Sequence, residues 1–297
     1  MATFEEARDL CLALTRAEGE NFTVVSWLAP KAMREHLTVV YAYCRTVDNL
    51  GDEGWALDGR RASDGTVPDR IALLDEFEAE LDFTYAGAPR HPIFVALRPT
   101  IERFDLPREP FARLIEANRM DQRDKRHATF ADLLHYCEHS ATPVGRLVLG
   151  LYERGGEEEN ALSDATCIGL QLANFWQDVK RDYEMGRVYL PQDEMAEYGV
   201  RDEDLATATA SESVRRLLRF QVERARGYFA RGLPLLDRVS GHLRVDLALF
   251  SRGGLAILDK IERQNYDTLS QRPTVSKMEK VGILLSTLAG RRWKRWI

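Results

Sequence analysis

Two pairs of aspartates at one spacing are the residues of this chain best suited to chemistry. Asp48 and Asp52 stand four positions apart, and Asp178 and Asp182 repeat that spacing 130 residues later. On a helix, residues i and i+4 project from one face about a turn apart. Mg²⁺ prefers hard oxygen ligands, and it commonly binds one or two carboxylates while a phosphate supplies further oxygens. The two pairs therefore predict a magnesium site whose ligand is a diphosphate.

Spacing alone does not separate a metal site from ordinary surface charge. Random placement of the 47 acidic residues among 297 would give about seven acidic pairs at i,i+4, most of them solvated. The first pair is distinguished because Leu37, Tyr41 and Cys44 form an apolar stripe that continues into Asp48 and Asp52. Carboxylates on a core-facing side need cations. Either metal ions or a buried network of salt bridges would supply that positive charge.

The second pair ends a polar line along its predicted helix. The line consists of Gln171, Asn174, Asp178 and Asp182, at spacings of 3, 4 and 4. Apolar residues flank it, so we expect this helix to direct polar atoms toward its buried side. The amide oxygen of Asn174 would be an additional neutral ligand for a metal ion.

Composition bounds the class of protein. The chain is 44% hydrophobic and 30% charged, with a mean hydropathy of -0.35, and no stretch approaches the roughly 18 apolar residues of a membrane span. Its N-terminus lacks the basic start and apolar run of a signal peptide, and its cysteines lack zinc-binding spacing. A net charge of -6 gives no attraction to nucleic acid. We predict a cytoplasmic protein with no nucleic-acid partner.

The apolar pattern predicts an all-α fold. Apolar residues recur at helical spacing almost throughout, and sustained alternation of the strand type is absent. The predicted helices cover about 3–18, 31–52, 69–86, 92–103, 108–123, 129–154, 161–185, 211–238, 241–269 and 275–290, with a surface loop at 54–68. Because the two acidic motifs must converge to share a ligand, we expect one domain, residues 1–297, forming a helical bundle around a central cavity.

The C-terminal tail, residues 284–297, has its own composition. It mixes apolar residues with four cations and two tryptophans, a pattern typical of membrane interfaces. One hypothesis is peripheral contact with the inner face of an anionic membrane. The alternative is a helix cap packed on the body of the protein.

Several segments together resemble one known family. The segment 41–53, YAYCRTVDNLGDE, resembles the first aspartate-rich motif of squalene and phytoene synthases, the head-to-head isoprenoid synthases. The other matching segments are Arg119–Asp121, Tyr136–Cys137, Pro143–Gly145, Gln171–Tyr183 and Gly186–Pro191. Within the family, Asn21–Phe22 and Asn174–Asp178 are most similar to the hydroxysqualene synthases of hopanoid biosynthesis.

The resemblance implies a reaction and its cofactor. Hydroxysqualene synthases ionise presqualene diphosphate and add water, giving hydroxysqualene and diphosphate without NADPH. Roughly two or three Mg²⁺ ions would be held by Asp48, Asp52, Asn174, Asp178 and Asp182. The alternatives are a condensing synthase that makes presqualene diphosphate, squalene or phytoene from prenyl diphosphates, and a catalytically silent helical protein that binds polyprenyl diphosphates.

Other candidates would bind the diphosphate. Arg45 lies one turn before Asp48, so it would grip phosphate or form an intrahelical bridge with that aspartate. Arg187 and Tyr189 resemble the family's strap over the diphosphate, or else belong to an ordinary loop. Gln171 is a further substrate-binding candidate.

Aromatic candidates would shield the carbocation through cation–π attraction without acting as nucleophiles. These are Phe22, Tyr41, Phe175 and Tyr266, each of which is otherwise a core residue. Tyr136 would orient water or a phosphate oxygen, or it is a buried tyrosine with a satisfied hydroxyl.

The chain departs from the family pattern at two positions. Asn49 and Arg181 stand where many relatives carry acids, which lowers the negative charge of the site. Asn49 would offer an amide oxygen to metal or water, and Arg181 would contact phosphate or face solvent. We expect no catalytic histidine, and we interpret His127, His135 and His139 as surface or capping residues.

Overall fold

The computed structural model describes residues 3–18, 29–52 and 69–289, and the side chains of residues 16–18 and 52 lie outside that description. Over these ranges the chain is all-α, as predicted, and contains no β-strand. The helices are α1 (Phe4–Glu18), α2 (Lys31–Asp52), α3 (Arg70–Tyr85), α4 (Pro92–Phe104), α5 (Arg108–Arg123), α6 (Phe130–Ser140), α7 (Thr142–Leu151), α8 (Glu157–Glu184), α9 (Gln192–Glu197), α10 (Asp202–Leu205), α11 (Glu212–Gly232), α12 (Leu235–Arg238), α13 (Gly241–Arg263) and α14 (Lys277–Leu288).

Most of the predicted helices are confirmed, and the differences have local causes. The segment predicted as one helix over 129–154 is two helices, because α6 ends at Ser140 with Ala141 as its C-cap, and Pro143 has no backbone N–H to continue it. The helix predicted over 241–269 ends at Arg263, since Asn265 and Tyr266 adopt left-handed backbone with φ of 52° and 58°. The short helices α9 and α10 were not predicted. The loop predicted over 54–68 lies outside the described residues.

The described chain divides into two compact units. The first comprises residues 1–123 and 143–156, and the second comprises 124–142 and 157–297. The prediction that 1–297 forms one isoprenoid synthase domain stays a prediction. No helix in the part of the chain that the structure describes combines the length and apolar character needed to cross a membrane.

Helix α2 is central to the first unit, where it packs against α1, α3, α4 and α5. Tyr43 of α2 is fully buried, and its hydroxyl donates to the carbonyl oxygen of Phe111 at 2.9 Å. Its ring packs against those of Phe77, Phe94 and Phe111, with centroids 4.9–5.7 Å away. This anchoring fixes the rotation of α2, so that other faces of the helix carry the first aspartate motif.

Helix α8 is likewise the central helix of the second unit. It packs against α6, α11 and α13, with the large side chain of Trp176 fully buried. Two glycines allow a close approach to one ring: a Cβ at Gly169 would lie 3.2 Å from Phe229, and one at Gly254 would lie 2.4 Å from it. The aromatic side chain of α11 therefore fills space that α8 and α13 leave open.

Gly254→Ala is expected to destabilise the fold by about 1–3 kcal/mol, as overpacking of a filled core typically does. The added methyl would meet Cζ of Phe229 at 2.4 Å and Cδ2 of Leu170 at 2.9 Å. Gly253→Ala is the matched control, because nothing lies within 4 Å of its Cβ position on the same helix, and there alanine should stabilise by about 0.5–1 kcal/mol. Urea unfolding measures both changes, and equal effects of the two variants would contradict the packing described here.

Candidate active site

The first aspartate motif lies on the C-terminal half of α2, in the first unit. Tyr41, Arg45 and Asp48 are half-buried, whereas Tyr43 and Val47 on the opposite side are fully buried. The interpretation of this stripe as core-facing is therefore corrected: the stripe borders the core and leaves its polar atoms partly accessible. The side chain of Asp52 lies outside the described residues, so its predicted role stays a prediction.

Asn49 does not belong to this accessible row. Its side chain is 4% exposed, and its Oδ1 has no hydrogen-bond partner in the described part of the chain. The last turn of α2 packs tightly on α5: a Cβ at Gly51 would lie 2.0 Å from Oδ1 of Asn118, and Gln122 donates to the carbonyl oxygen of Gly51 at 3.0 Å. Burial favours a packing role for Asn49 over that of a metal ligand, because a neutral amide is less costly to bury than a carboxylate.

The second motif lies on α8, in the second unit. Gln171, Asp178 and Asp182 are half-buried and Asn174 is exposed. The core-facing residues of this stretch are Leu172, Phe175, Trp176 and Val179. The prediction that the polar line faces the buried side of α8 is therefore wrong. Apolar neighbours take the core side, and the polar line lies on the half-buried to exposed side of α8.

Asp178 has a partner that the sequence did not indicate. Arg272, in the segment between α13 and α14, binds its carboxylate with two donors: Nη2 donates to Oδ2 at 2.9 Å, and Nε donates to Oδ1. This bidentate contact raises the pKa of Arg272. The same segment is tied to α8 where Gln177 donates to the carbonyl oxygen of Pro273 at 2.6 Å. Asp178 and Arg272 are 94 positions apart, so no local spacing could have revealed their contact. Arg181, in contrast, is exposed.

The segment Gly186–Pro191, which we call the strap, turns back over the end of α8. Gly186 has a φ of +80°, which permits the turn, and the backbone N–H of Arg187 donates to the carbonyl oxygen of Asp182 at 2.8 Å. Val188 then donates its N–H to the carbonyl oxygen of Lys125 at 3.1 Å. These bonds fix Arg187 beside Asp182, and both residues line a small cleft together with Phe175 and Tyr189.

An aromatic cluster lies beneath the strap, formed by His127, Tyr136, Phe175 and Tyr189. Tyr189 stacks on Phe175 with centroids 3.9 Å apart and planes at 14°. The rings of His127 and Tyr136 lie 5.8 Å and 5.7 Å from that of Tyr189. The structure thus brings together Tyr136, Phe175, Asp182, Arg187 and Tyr189, which the sequence had indicated separately.

His127 was wrongly interpreted as a surface or capping residue. Its side chain is 5% exposed, and burial lowers the pKa of its imidazole below the ordinary value, which favours the neutral ring. His135 is exposed, at 63% of its side chain. A histidine that directly follows four charged residues, 123–126, carries no sequence signal for burial, because the burial comes from packing against Tyr136 and Tyr189.

For two other candidates, Tyr266 and Phe22, the described residues show no contact with this cluster. Tyr266 is buried, and the guanidinium of Arg219 lies 5.0 Å from the centre of its ring. Within the described ranges no ring contact joins it to the aromatic cluster. Phe22 lies outside the described residues. The roles of both in substrate binding stay predictions.

The oxygen donors on α8 fit Mg²⁺ by their chemistry. Asn174, Asp178 and Asp182 offer hard oxygens from one accessible helical face. In the part of the chain that the structure describes, no group of three or more His, Cys, Asp or Glu residues is close enough to hold a metal ion alone. An Mg²⁺ ion held by these residues would need oxygens of phosphate and water to complete its shell. The contact of Arg272 with Asp178 must be released or shared for this carboxylate to bind a metal ion.

Arg272→Gln is therefore expected to increase the affinity of the substrate-free protein for Mn²⁺, a paramagnetic substitute for Mg²⁺, by about threefold to tenfold. The substitution removes a cation that competes for the Asp178 oxygens, a partly exposed contact of modest strength. Arg181→Gln is the matched control, because it removes the same charge from an exposed position on α8. Electron paramagnetic resonance of free Mn²⁺ measures both affinities, and equal changes in the two variants would disprove competition at Asp178.

The chain is similar to known proteins over most of its length. The sequence profile described as squalene/phytoene synthase matches residues 15–279. The 15-cis-phytoene synthase of Synechococcus elongatus is 31% identical over 297 residues, covering 95% of this chain and 92% of the relative. The phytoene synthase of Arthrospira platensis is 33% identical over 300 residues, covering 93% and 92%.

Solved structures give the same result. The squalene synthase HpnC from Alicyclobacillus acidocaldarius superimposes with a TM-score of 0.81 at 43% identity, covering 89% of this chain and 95% of that one. A dehydrosqualene synthase shares the fold, with a TM-score of 0.84 at 24% identity. The fold is that of head-to-head prenyl diphosphate synthases. The chain belongs to the squalene/phytoene synthase family.

Proposed function

We propose that this enzyme ionises presqualene diphosphate with the aid of Mg²⁺ and captures water, giving hydroxysqualene and diphosphate. The observation that carries the proposal is the junction of Asp182 and Arg187 with the stacked rings of Phe175 and Tyr189. At this point the charged groups suited to binding a diphosphate lie next to aromatic rings suited to stabilising a carbocation. The higher identity with a squalene synthase, 43% against 31–33% with phytoene synthases, supports this branch of the family.

The first step breaks the bond between carbon and the diphosphate oxygen, and the electron pair leaves with that oxygen. Mg²⁺, held by Asp48, Asp52, Asn174, Asp178 and Asp182, would neutralise charge on the leaving group. Arg45 and Arg187 would bind the phosphate oxygens directly, since an arginine fork matches phosphate geometry. Gln171, one helical turn before Asn174, would donate to the diphosphate from the same face of α8.

The second step controls where water reaches the carbocation. Phe175 and Tyr189 are stacked at 3.9 Å, and such π faces stabilise a cation without forming a bond to it. The hydroxyl of Tyr136, whose ring lies 5.7 Å from that of Tyr189, would orient the attacking water. The water oxygen then bonds to carbon, and its proton passes to the departing diphosphate or to solvent. Tyr41, Tyr266 and Phe22 would line the remainder of a cavity for the C30 chain.

Isotopic labelling of water tests this chemistry. Incubation of the purified enzyme with presqualene diphosphate and Mg²⁺ in H₂¹⁸O, without NADPH, should give hydroxysqualene carrying the label in its hydroxyl group. The same incubation with excess chelator should give no product, because the diphosphate is then a poor leaving group. Formation of an unoxygenated C30 hydrocarbon in place of the alcohol would contradict the proposal.

A condensing synthase is the second candidate. Its support is the identity of 31–33% with phytoene synthases over more than nine-tenths of the chain. Such an enzyme would join two prenyl diphosphates with the same acidic residues, so only the substrate accepted separates the two functions. A silent polyprenyl diphosphate binder is less well supported, because both aspartate pairs are intact.

We further propose that the enzyme works in the cytoplasm and delivers its product at the inner face of the membrane. A hydroxylated C30 chain is far more favourable in lipid than in water, so delivery at a membrane surface suits the product. In the C-terminal tail, residues 290–297 lie outside the described part of the chain, and their membrane contact stays a prediction.

A further inference from the structure

Helix α6 carries two histidines on its solvent side. His135 and His139 are four positions apart, so they project from one face of the helix about a turn apart. Their rings are already close, with centroids 4.6 Å apart and planes at 67°. Tyr136 and Cys137 of the same helix are buried, whereas 63% of the His135 side chain is accessible. The pair therefore lies apart from the aromatic cluster, and the proposed reaction uses neither histidine.

The backbone of α6 determines which nitrogen of His139 carries the proton. Nδ1 of His139 lies 2.9 Å from the carbonyl oxygen of His135. A carbonyl oxygen only accepts hydrogen bonds, so Nδ1 donates, and the lone pair of the neutral ring is on Nε2. Histidines that bind metal ions almost always donate their other ring N–H in this way, which fixes the tautomer and the orientation of the ring. His139 is thus prepared to bind an ion through Nε2.

The environment of His135 has the same polarity. Oε2 of Glu138 lies 3.8 Å from Nδ1 of His135, and its negative charge favours a proton on that nitrogen. In the described part of the chain, the polar contacts recorded for the two imidazoles are made through Nδ1. Both Nε2 atoms therefore remain available to a ligand, and the carboxylate beside them makes the surroundings more favourable for a cation.

The separation of the two rings suits one shared ion. A metal–nitrogen bond of about 2.0–2.1 Å, as for zinc, places the ion about 3.2 Å from the centroid of the bound imidazole. Two imidazoles on neighbouring positions of one ion then have centroids about 4.5–5.2 Å apart, for bond angles of about 90–110°. The observed separation of 4.6 Å lies within this range. An ion would therefore require rotation of the side chains and no movement of the helix.

We infer that His135 and His139 bind a divalent transition-metal ion, of the class of Ni²⁺, Cu²⁺ or Zn²⁺, through their Nε2 atoms. Imidazole is a favoured ligand of these ions, whereas Mg²⁺ prefers oxygen. Within the described ranges no group of three or more His, Cys, Asp or Glu residues is placed to hold an ion, so water fills the other positions. The ion links two successive turns of α6, and it thereby stabilises the helix that positions Tyr136 in the aromatic cluster.

Equilibrium dialysis against Ni²⁺ tests the inference without substrate, and so independently of the proposed reaction. It uses the full-length protein without a histidine tag, in excess Mg²⁺ to compete for the oxygen donors of the aspartate motifs. His135→Gln and His139→Gln should each lower the Ni²⁺ affinity by about tenfold or more, since each leaves a single imidazole. His242→Gln is the matched control, because His242 is an exposed histidine at the start of α13, and the affinity should not change.

Three outcomes would overturn the inference. One is a wild-type protein that retains no Ni²⁺ in excess Mg²⁺. Another is a His135→Gln/His139→Gln variant that binds Ni²⁺ as tightly as the wild type, which would place the ion elsewhere on the protein. The third is a loss of affinity in His242→Gln equal to that in the α6 variants. Circular dichroism of each variant confirms that it is folded, and glutamine retains a high helix propensity at both positions.

Discussion

Asp178→Asn is expected to lower kcat on presqualene diphosphate by about a thousandfold or more. The substitution keeps the shape of the side chain and removes its charge. A metal ion contributes several kcal/mol to the departure of a charged leaving group, and each 1.4 kcal/mol is a factor of about ten in rate. The free energy of unfolding should change little, because Arg272, which loses its ion pair, is half exposed and regains contact with solvent. Steady-state release of diphosphate measures the loss.

The controls separate the loss of a metal ligand from a general effect of charge. Asp9→Asn, at an exposed position of α1, should leave kcat unchanged. Asp48→Asn should match Asp178→Asn, and the double variant should lose far less than the product of the two effects, because residues that act on one ligand are not additive. Full activity of Asp178→Asn at saturating Mg²⁺ would show that the second motif is structural.

Asp246→Asn is expected to stabilise the protein by on the order of 3–4 kcal/mol at pH 8. Asp246 of α13 is 4% exposed, and its Oδ1 has no hydrogen-bond partner in the described part of the chain. Burial alone raises the pKa of this carboxyl to about 7, because nothing nearby stabilises the charged form. Asparagine resembles the protonated side chain and needs no proton to stay neutral.

The direction of the pH dependence follows from the proton balance. Unfolded, the carboxyl of Asp246 titrates near its ordinary value of 3.8, whereas in the folded protein its pKa is about 7. Between these values the folded state binds the extra proton, so stability falls as pH rises and levels off above pH 7. The gain from Asp246→Asn should therefore be small near pH 4 and largest above pH 7.

Urea unfolding of both proteins over this pH range measures the difference. The exposed Asp237 provides the matched control, and Asp237→Asn should shift stability by no more than about 0.5 kcal/mol at any pH, as surface substitutions usually do. A difference between Asp246→Asn and wild type that stays constant with pH would show that Asp246 is solvated or paired in solution.

The helices and the candidate motifs could be predicted because their signals are local. The stripe of α2 and the polar line of α8 follow from spacing, and proline and glycine mark most helix ends. The orientation of the polar line was wrongly predicted, since Leu172 and Trp176 compete for the same core and take it. Packing determines which side of a helix is buried. When a helix has apolar residues on two sides, its sequence alone does not indicate which of them faces the core.

Long-range partners could not be predicted at all. Arg272 binds Asp178 although 94 residues separate them, and the buried His127 packs against the rings of Tyr136 and Tyr189. Buried carboxylates normally have partners, so the helical pattern of the sequence would assign Asp246 to a solvated face. The first two features arise where segments distant in sequence meet.

Product identification tests the central claim most directly. Purified enzyme and Mg²⁺, without NADPH, are incubated with presqualene diphosphate in one reaction and with farnesyl diphosphate in another, and products are identified by mass spectrometry. We expect hydroxysqualene from presqualene diphosphate, no product from farnesyl diphosphate alone, and no turnover by Asp48→Ala or Asp178→Ala. A C30 product from farnesyl diphosphate would contradict the account and make the enzyme a condensing synthase, and failure to convert either substrate would make it a silent binder.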